Sequence, residues 1–219
     1  MGMNFIVGVM NSGTSLIGSL LAGHKFVNYI HEEYDIIEKK RFLPGGKVSI
    51  NKVLLHMFPD RTLEEAMDIY APSKTLFIIR DGRDTALSQY YRGHPDLQRI
   101  IYDWNRLVEY SYKLYSSQPH RFTVIRYEDL VLDTEIVLKC ACEFFGVSYD
   151  KNLIKFFKMY PREAYNYKTY GDKIVNNRIG VYKNHPNQEF VLKVYDSIKP
   201  NLIRSGYEGT FYDDNRVGQ

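Results

Sequence analysis

Asn4-Phe5-Ile6-Val7-Gly8-Val9-Met10-Asn11-Ser12-Gly13-Thr14-Ser15 is a short apolar run that passes into small polar residues, and Leu16, Ile17, Leu20 and Leu21 follow at helical spacing. The pattern reads as strand, tight loop and helix. From Gly8 to Ser15 the spacing is that of a phosphate loop, G-x-x-x-x-G-K-[ST], except that Thr14 stands where the lysine belongs. Such a turn aims backbone N–H groups and the positive end of a helix dipole at one point, which suits a phosphate or sulfate. Triphosphate hydrolysis leans on the missing lysine and on magnesium, so its loss counts against an ATPase or a kinase.

The same architecture recurs. Thr75-Leu76-Phe77-Ile78-Ile79 reads as a buried strand that runs into Arg80-Asp81-Gly82-Arg83-Asp84 and then a helical pattern through Leu87 and Tyr91. A third strand, Arg121 to Ile125, precedes a turn at Tyr127-Glu128-Asp129-Leu130. Between the second and third strands, Leu97, Ile100, Trp104, Leu107 and Leu114 mark a long helix with a core-facing stripe. Strands alternating with helices predict an α/β fold: a single phosphate-loop-like domain over 1–219, with a central, mostly parallel sheet flanked by helices. Further helices are expected from Ile136 to Phe145, closed by Gly146, from Asn152 to Met159 after an Asp150 cap, and from Gln188 to Ile203. Between Tyr160 and Lys183 periodicity vanishes while five tyrosines and five basic residues accumulate, so 160–185 reads as a lid that covers a cofactor.

Composition narrows the partners. The 29 basic and 26 acidic residues leave a net charge of +3, too balanced for wholesale nucleic-acid binding, so an anion site must be local. Cys140 and Cys142, one residue apart in a helical pattern, cannot bridge each other and suit a reducing compartment. No leader-like segment and no apolar run of membrane-spanning length is present, so the expectation is a cytoplasmic protein without a membrane partner.

Three ordered segments resemble the sulfotransferase family that uses 3′-phosphoadenosine 5′-phosphosulfate (PAPS). That family's loop reads roughly [RK]-S-G-T-[TS], and an Arg and a Ser eight residues on grip the 3′-phosphate; this chain has Asn11-Ser12-Gly13-Thr14-Ser15, then Arg80 and Ser88. Phe122-Thr-Val-Ile-Arg-Tyr-Glu-Asp-Leu130 resembles the following strand and Tyr-Glu-Asp-Leu turn. Gly180-Val-Tyr-Lys-Asn184 is similar to the cofactor-binding Gly-x-Trp-Lys-Asn segment, with Tyr182 in the tryptophan's place. The spacing is closest to the tyrosylprotein and carbohydrate branches, which place a His and then an acidic base after the loop, here His24 and Glu32, and an Asn-Lys pair before the second strand, here Asn51-Lys52. Asn11 departs from the family, where Arg or Lys stands beside the phosphosulfate.

The resemblance implies in-line sulfuryl transfer from PAPS, without metal, to an acceptor hydroxyl or amine on a small molecule, a glycan or a protein tyrosine. Glu32, with Glu33 as its neighbouring competitor, is the base, and His24 orients the loop or serves as base. Lys52, following a β-like Val48-Ser49-Ile50 run at an expected sheet edge, neutralises the leaving oxygen with the loop's N–H groups. Arg80, Ser88 and Arg92 hold the 3′-phosphate, and Arg178 covers the nucleotide. Two other readings stand beside this one: a kinase or NTPase with a degenerate loop, and a non-catalytic nucleotide-binding module that Asn11 would suit. Trp104 and the cysteine pair read as core.

Overall fold

In the computed structural model the described residues are 3–30, 46–55, 63–94, 96–156, 174 and 176–208. Five strands form one sheet: β1 (Met3–Gly8), β2 (Val27–Ile30), β3 (Val48–Leu54), β4 (Thr75–Ile79) and β5 (Phe122–Arg126). Their order is β2-β3-β1-β4-β5 and every pairing is parallel, so the expected mostly parallel sheet is wholly so. Parallel strands need covered faces, and β1 and β4 meet that need with almost fully buried, β-branched or aromatic runs.

Helices α1 (Thr14–Ala22), α6 (Thr134–Phe145) and α7 (Leu153–Phe156) cover one face, where Ile6, Ile50, Leu76 and Ile78 meet Leu20 and Leu138. Helices α2 (Leu63–Ile69), α4 (Leu97–Ser117) and α8 (Gln188–Arg204) cover the other, where Phe5, Val7, Phe77 and Phe122 meet Trp104 and Ile198. Helix α3 (Gly82–Tyr90) packs between α4 and α8, and α5 (Tyr127–Leu132) follows β5. Among the described residues no helix is long and apolar enough to cross a membrane.

The helix boundaries follow local chemistry. Asp96 and Asn187 cap α4 and α8 by accepting the N–H groups of Arg99 and Phe190, and Gly146 closes α6 in the left-handed conformation (φ 77°). Asp150 accepts the N–H of Asn152 just before α7, as expected, although only Leu153–Phe156 of that helix lies within the described residues. Three elements differ from the sequence reading. Strand β2 and helix α2 were not expected, and Tyr127–Leu132 is a helix rather than a turn. Cys140 is exposed and Cys142 buried, with no bridge between them, and burial pushes the Cys142 thiol up to about 11.

Candidate active site

The loop after β1 is shaped by two left-handed residues. Asn11 (φ 64°) is of a type that tolerates this region, whereas Gly13 (φ 103°) starts α1 where a Cβ would lie 2.6 Å from the Tyr127 ring. Gly8 leaves the matching gap below, since a Cβ there would come within 2.3 Å of Ser12 Oγ. Inside the turn, Ser12 donates both its N–H and its hydroxyl to the Val9 carbonyl, and Gln89 Nε2 of α3 donates to Met10 O at 2.8 Å. The chain thus turns tightly into α1, whose first N–H groups have no intrahelical acceptor and point out of the helix start.

Two cations converge on this loop from the neighbouring strands. Lys52 in β3 is buried, pairs in register with Ile6, and donates from Nζ to Ser15 Oγ at 3.4 Å. Its strand lies between β2 and β1, so the expected position at a sheet edge is corrected: Lys52 is interior, near the carboxyl end of the sheet. Asn51 faces the opposite side of β3 and is also buried.

Arg80 follows β4 and is 6% exposed. Its guanidinium stacks over Tyr127 (5.0 Å), donates from Nη1 to Asn11 O at 3.2 Å and from Nη2 to Arg178 O at 2.6 Å, and leaves Nε buried with no partner among the described residues. A buried guanidinium N–H is costly to strand, so this nitrogen marks a position built for an incoming acceptor. Ser88, half-buried on α3, stands beyond it. Arg92 lies just past α3 with an exposed side chain. The Arg178 side chain is exposed too, and that residue meets Arg80 through its carbonyl.

His24 does not join this group. It sits beyond the far end of α1, about 13 Å along the helix from Thr14 at ~1.5 Å per residue. Both ring nitrogens are spent on backbone: Nδ1 accepts the N–H of Phe26 at 3.1 Å, and Nε2 donates to Ser148 O at 2.8 Å. The expectation that it orients the loop or acts as a base is corrected, because it holds the turn before β2 against the segment before α7. Glu32 and Glu33 lie outside the described residues, as do 160–173 of the expected lid.

Several residues of the site were not anticipated. Arg83 and Asp84 are both buried, and Arg83 pairs with Asp81 (3.0 and 2.7 Å) while lying 3.9 Å over the Tyr182 ring. Asp84 accepts the N–H groups of Gly180 and Tyr182 at 2.7 and 3.0 Å, and burial raises its carboxyl to about 6 against the opposing pull of Arg80. Glu128 accepts Asp81 N–H at 3.0 Å and bonds to the Tyr207 hydroxyl at 2.7 Å; burial raises it to about 7. A carboxylate after Arg80 was visible in the sequence, but only the packed 178–184 segment shows what Asp84 holds.

An all-parallel α/β sheet with a glycine-containing loop between β1 and α1, and a buried lysine and arginine near its carboxyl edge, is a domain of the phosphate-loop type. Residues 46–151, which include Lys52, Arg80, Ser88 and Arg92, match the model of the Sulfotransferase family. The sulfotransferase domain from the curacin biosynthetic pathway superposes with a TM-score of 0.66 at 15% identity, covering 90% of this chain and 97% of that one. The sulfotransferase domain from the Synechococcus PCC 7002 olefin synthase gives 0.64 at 16%, covering 90% and 94%. Mouse sulfotransferase SULT7A1 complexed with PAP gives 0.62 at 17%, covering 94% and 88%. No curated protein matches the chain in sequence. Over residues 46–151 the chain matches the sulfotransferase family, and these solved sulfotransferases share its fold.

Proposed function

We propose that this protein moves a sulfuryl group from PAPS to an acceptor hydroxyl or amine by in-line transfer. The observation that carries the reading is Arg80, a buried arginine whose Nε has no partner among the described residues, set beside an anion loop that lacks the lysine a triphosphate needs. The residues present fit the donor. Arg80, Ser88 and Arg92 would hold its 3′-phosphate, Asn11 to Ser15 would cradle the 5′-phosphosulfate with backbone N–H groups, and Arg178 would cover the nucleotide. The bound donor supplies the activated sulfuryl group, and charge grows on its bridging oxygen as that group leaves. Lys52, beside Ser15 in a buried strand, is placed to neutralise that charge, and it compensates for the uncharged Asn11. Glu32 is the base that takes the acceptor's proton. The unbridged cysteines agree with work in a reducing, cytoplasmic compartment.

The test is calorimetric titration with 3′-phosphoadenosine 5′-phosphate without metal, beside ATP with magnesium, on the wild type and Arg80→Ala. Metal-free binding that Arg80→Ala weakens at least ~10-fold, the scale of a charge-assisted contact, establishes the donor site. Preference for magnesium ATP would replace this reading with a kinase.

A further inference from the structure

Asp84 is buried on α3 and spends both carboxylate oxygens on the backbone N–H groups of Gly180 and Tyr182. Four residues on, Ser88 lies on the same face of the helix. The backbone that Asp84 grips is continuous with the Arg178 carbonyl, which accepts from Arg80 Nη2, and Arg80 Nη1 reaches across to the loop at Asn11. One guanidinium therefore bridges the anion loop and the 178–182 segment, and one carboxylate fixes that segment to α3. We propose that Asp84 is a positioning residue of the donor site: by accepting both N–H groups it holds the 178–182 backbone in place and so fixes the guanidinium of Arg80 for the 3′-phosphate. This rests on the donor reading above.

The surroundings leave Asp84 few alternative partners. The charged groups that face it are Arg80 after β4 and Asp81 in the turn before α3. Arg83 is turned to Asp81 and the Tyr182 ring. Lys183 on the held segment is exposed, and the neutral Trp104 of α4 and Ile198 of α8 pack against the neighbouring Gly82. Protonation of Asp84 halves its accepting capacity toward two N–H donors that sit on separate oxygens. Because its carboxyl titrates near 6, the hold is complete above that pH and weakens below it.

The experiment compares the metal-free affinity for 3′-phosphoadenosine 5′-phosphate of the wild type, Asp84→Asn and Arg80→Ala from pH 5 to 7.5. The ratio of wild type to Asp84→Asn cancels titration of the ligand's own phosphates. We expect that ratio to be roughly 10 at pH 7.5, the scale of one lost charge-assisted bond, and to fall toward 1 at pH 5. A ratio that stays at 1, or one that does not change with pH, overturns the proposal while Arg80-dependent binding leaves the donor site standing. Absence of Arg80-dependent binding in the wild type overturns both. A second measurement needs no variant: amide exchange at Gly180 and Tyr182, corrected for its intrinsic pH dependence, loses protection as the pH falls through about 6. Unchanged protection down to pH 5 overturns the proposal.

Discussion

Trp104, fully buried in α4, donates its indole N–H to the carbonyl of Arg80 at 2.8 Å. The core and Arg80, the arginine proposed to hold the donor's 3′-phosphate, therefore share one hydrogen bond. Replacing Trp104 with Phe keeps an aromatic ring but removes the shorter of two side-chain donations to that buried carbonyl, the other coming from Thr85 Oγ1 at 3.5 Å, which costs about 1 kcal/mol. We expect a lower urea midpoint together with weaker nucleotide binding, because the residue that carries the guanidinium loses its backbone anchor. A midpoint shift with unchanged affinity would show that Arg80 is held well enough by its contacts to Asn11 and Arg178.

The proposed role of Lys52 lies in chemistry more than in binding. The variant Lys52→Met keeps the length of the stem inside the sheet and removes the ammonium that reaches Ser15. Loss of a group that meets developing charge lowers kcat by on the order of 10²–10³. We expect that fall in single-turnover transfer to a working acceptor, with affinity for the bisphosphate product changed far less.

Gly13 admits no side chain. Its φ of 103° is unfavourable for any other residue, and a Cβ would meet the Tyr127 ring at 2.6 Å. Gly13→Ala strains the start of α1 by about 1–2 kcal/mol and displaces either the loop or Tyr127, on which Arg80 stacks. Thermal melting with and without the bisphosphate should show a lower Tm and loss of most of the ligand-induced shift.

Glu128 makes stability fall with rising pH. Its carboxyl is raised to about 7 in the fold against an ordinary 4.5, because burial outweighs the opposing pull of the hydrogen bonds with Tyr207 and the Asp81 N–H. The folded state keeps a proton that the unfolded chain releases, so this group's contribution is full below about 4.5 and is lost as the pH rises through about 7. The whole effect is about 3 kcal/mol at ~1.4 kcal/mol per pKa unit. Glu128→Gln retains an oxygen for Asp81 N–H and offers a donor to the Tyr207 oxygen, whose hydroxyl is also 3.1 Å from Ile79 O. Urea denaturation between pH 5 and 8 should show a flatter profile in the variant and a gain over wild type at pH 8.

His24 is a structural residue. With Nδ1 on Phe26 N–H and Nε2 on Ser148 O, truncation to Ala removes two part-buried hydrogen bonds and lowers the midpoint by the equivalent of about 2 kcal/mol, at ~1 kcal/mol per bond. Transfer by the folded enzyme is expected to keep its kcat and its pH profile. A profile that loses one ionisation in His24→Ala would restore a catalytic role.

Much of the frame was readable because it depends on local pattern. Thr75–Ile79 is a buried strand end to end, and Leu97 to Leu114 carries the stripe of α4, since a parallel strand must be apolar on both faces and a covering helix on one. Elements with weaker patterns were missed. Val27–Ile30 is short and only partly buried, so its burial comes from pairing with β3 rather than from composition. Among the described side chains, Leu63 and Met67 mark the buried side of α2, too few to show a period. Tyr127–Leu132 is helical because Tyr127 and Leu130 pack inward while Glu128 and Asp129 favour its first turn.

By itself the sequence determined the strand, loop and helix at 4–21, the arginine that ends the second buried strand, and the family resemblance of these segments. Each depends on residues close together along the chain, where backbone geometry and hydrophobic period act directly. Tertiary structure alone decided that Lys52 lies inside the sheet beside Ser15, that His24 packs at the far end of α1, and that Asp84 holds Gly180 and Tyr182 from 96 and 98 residues away. A short polar side chain reads the same whether it faces water or a distant backbone. Only the fold brings those N–H groups within reach and removes the competing water, which turns a carboxylate on an amphipathic helix into a fixed part of the site.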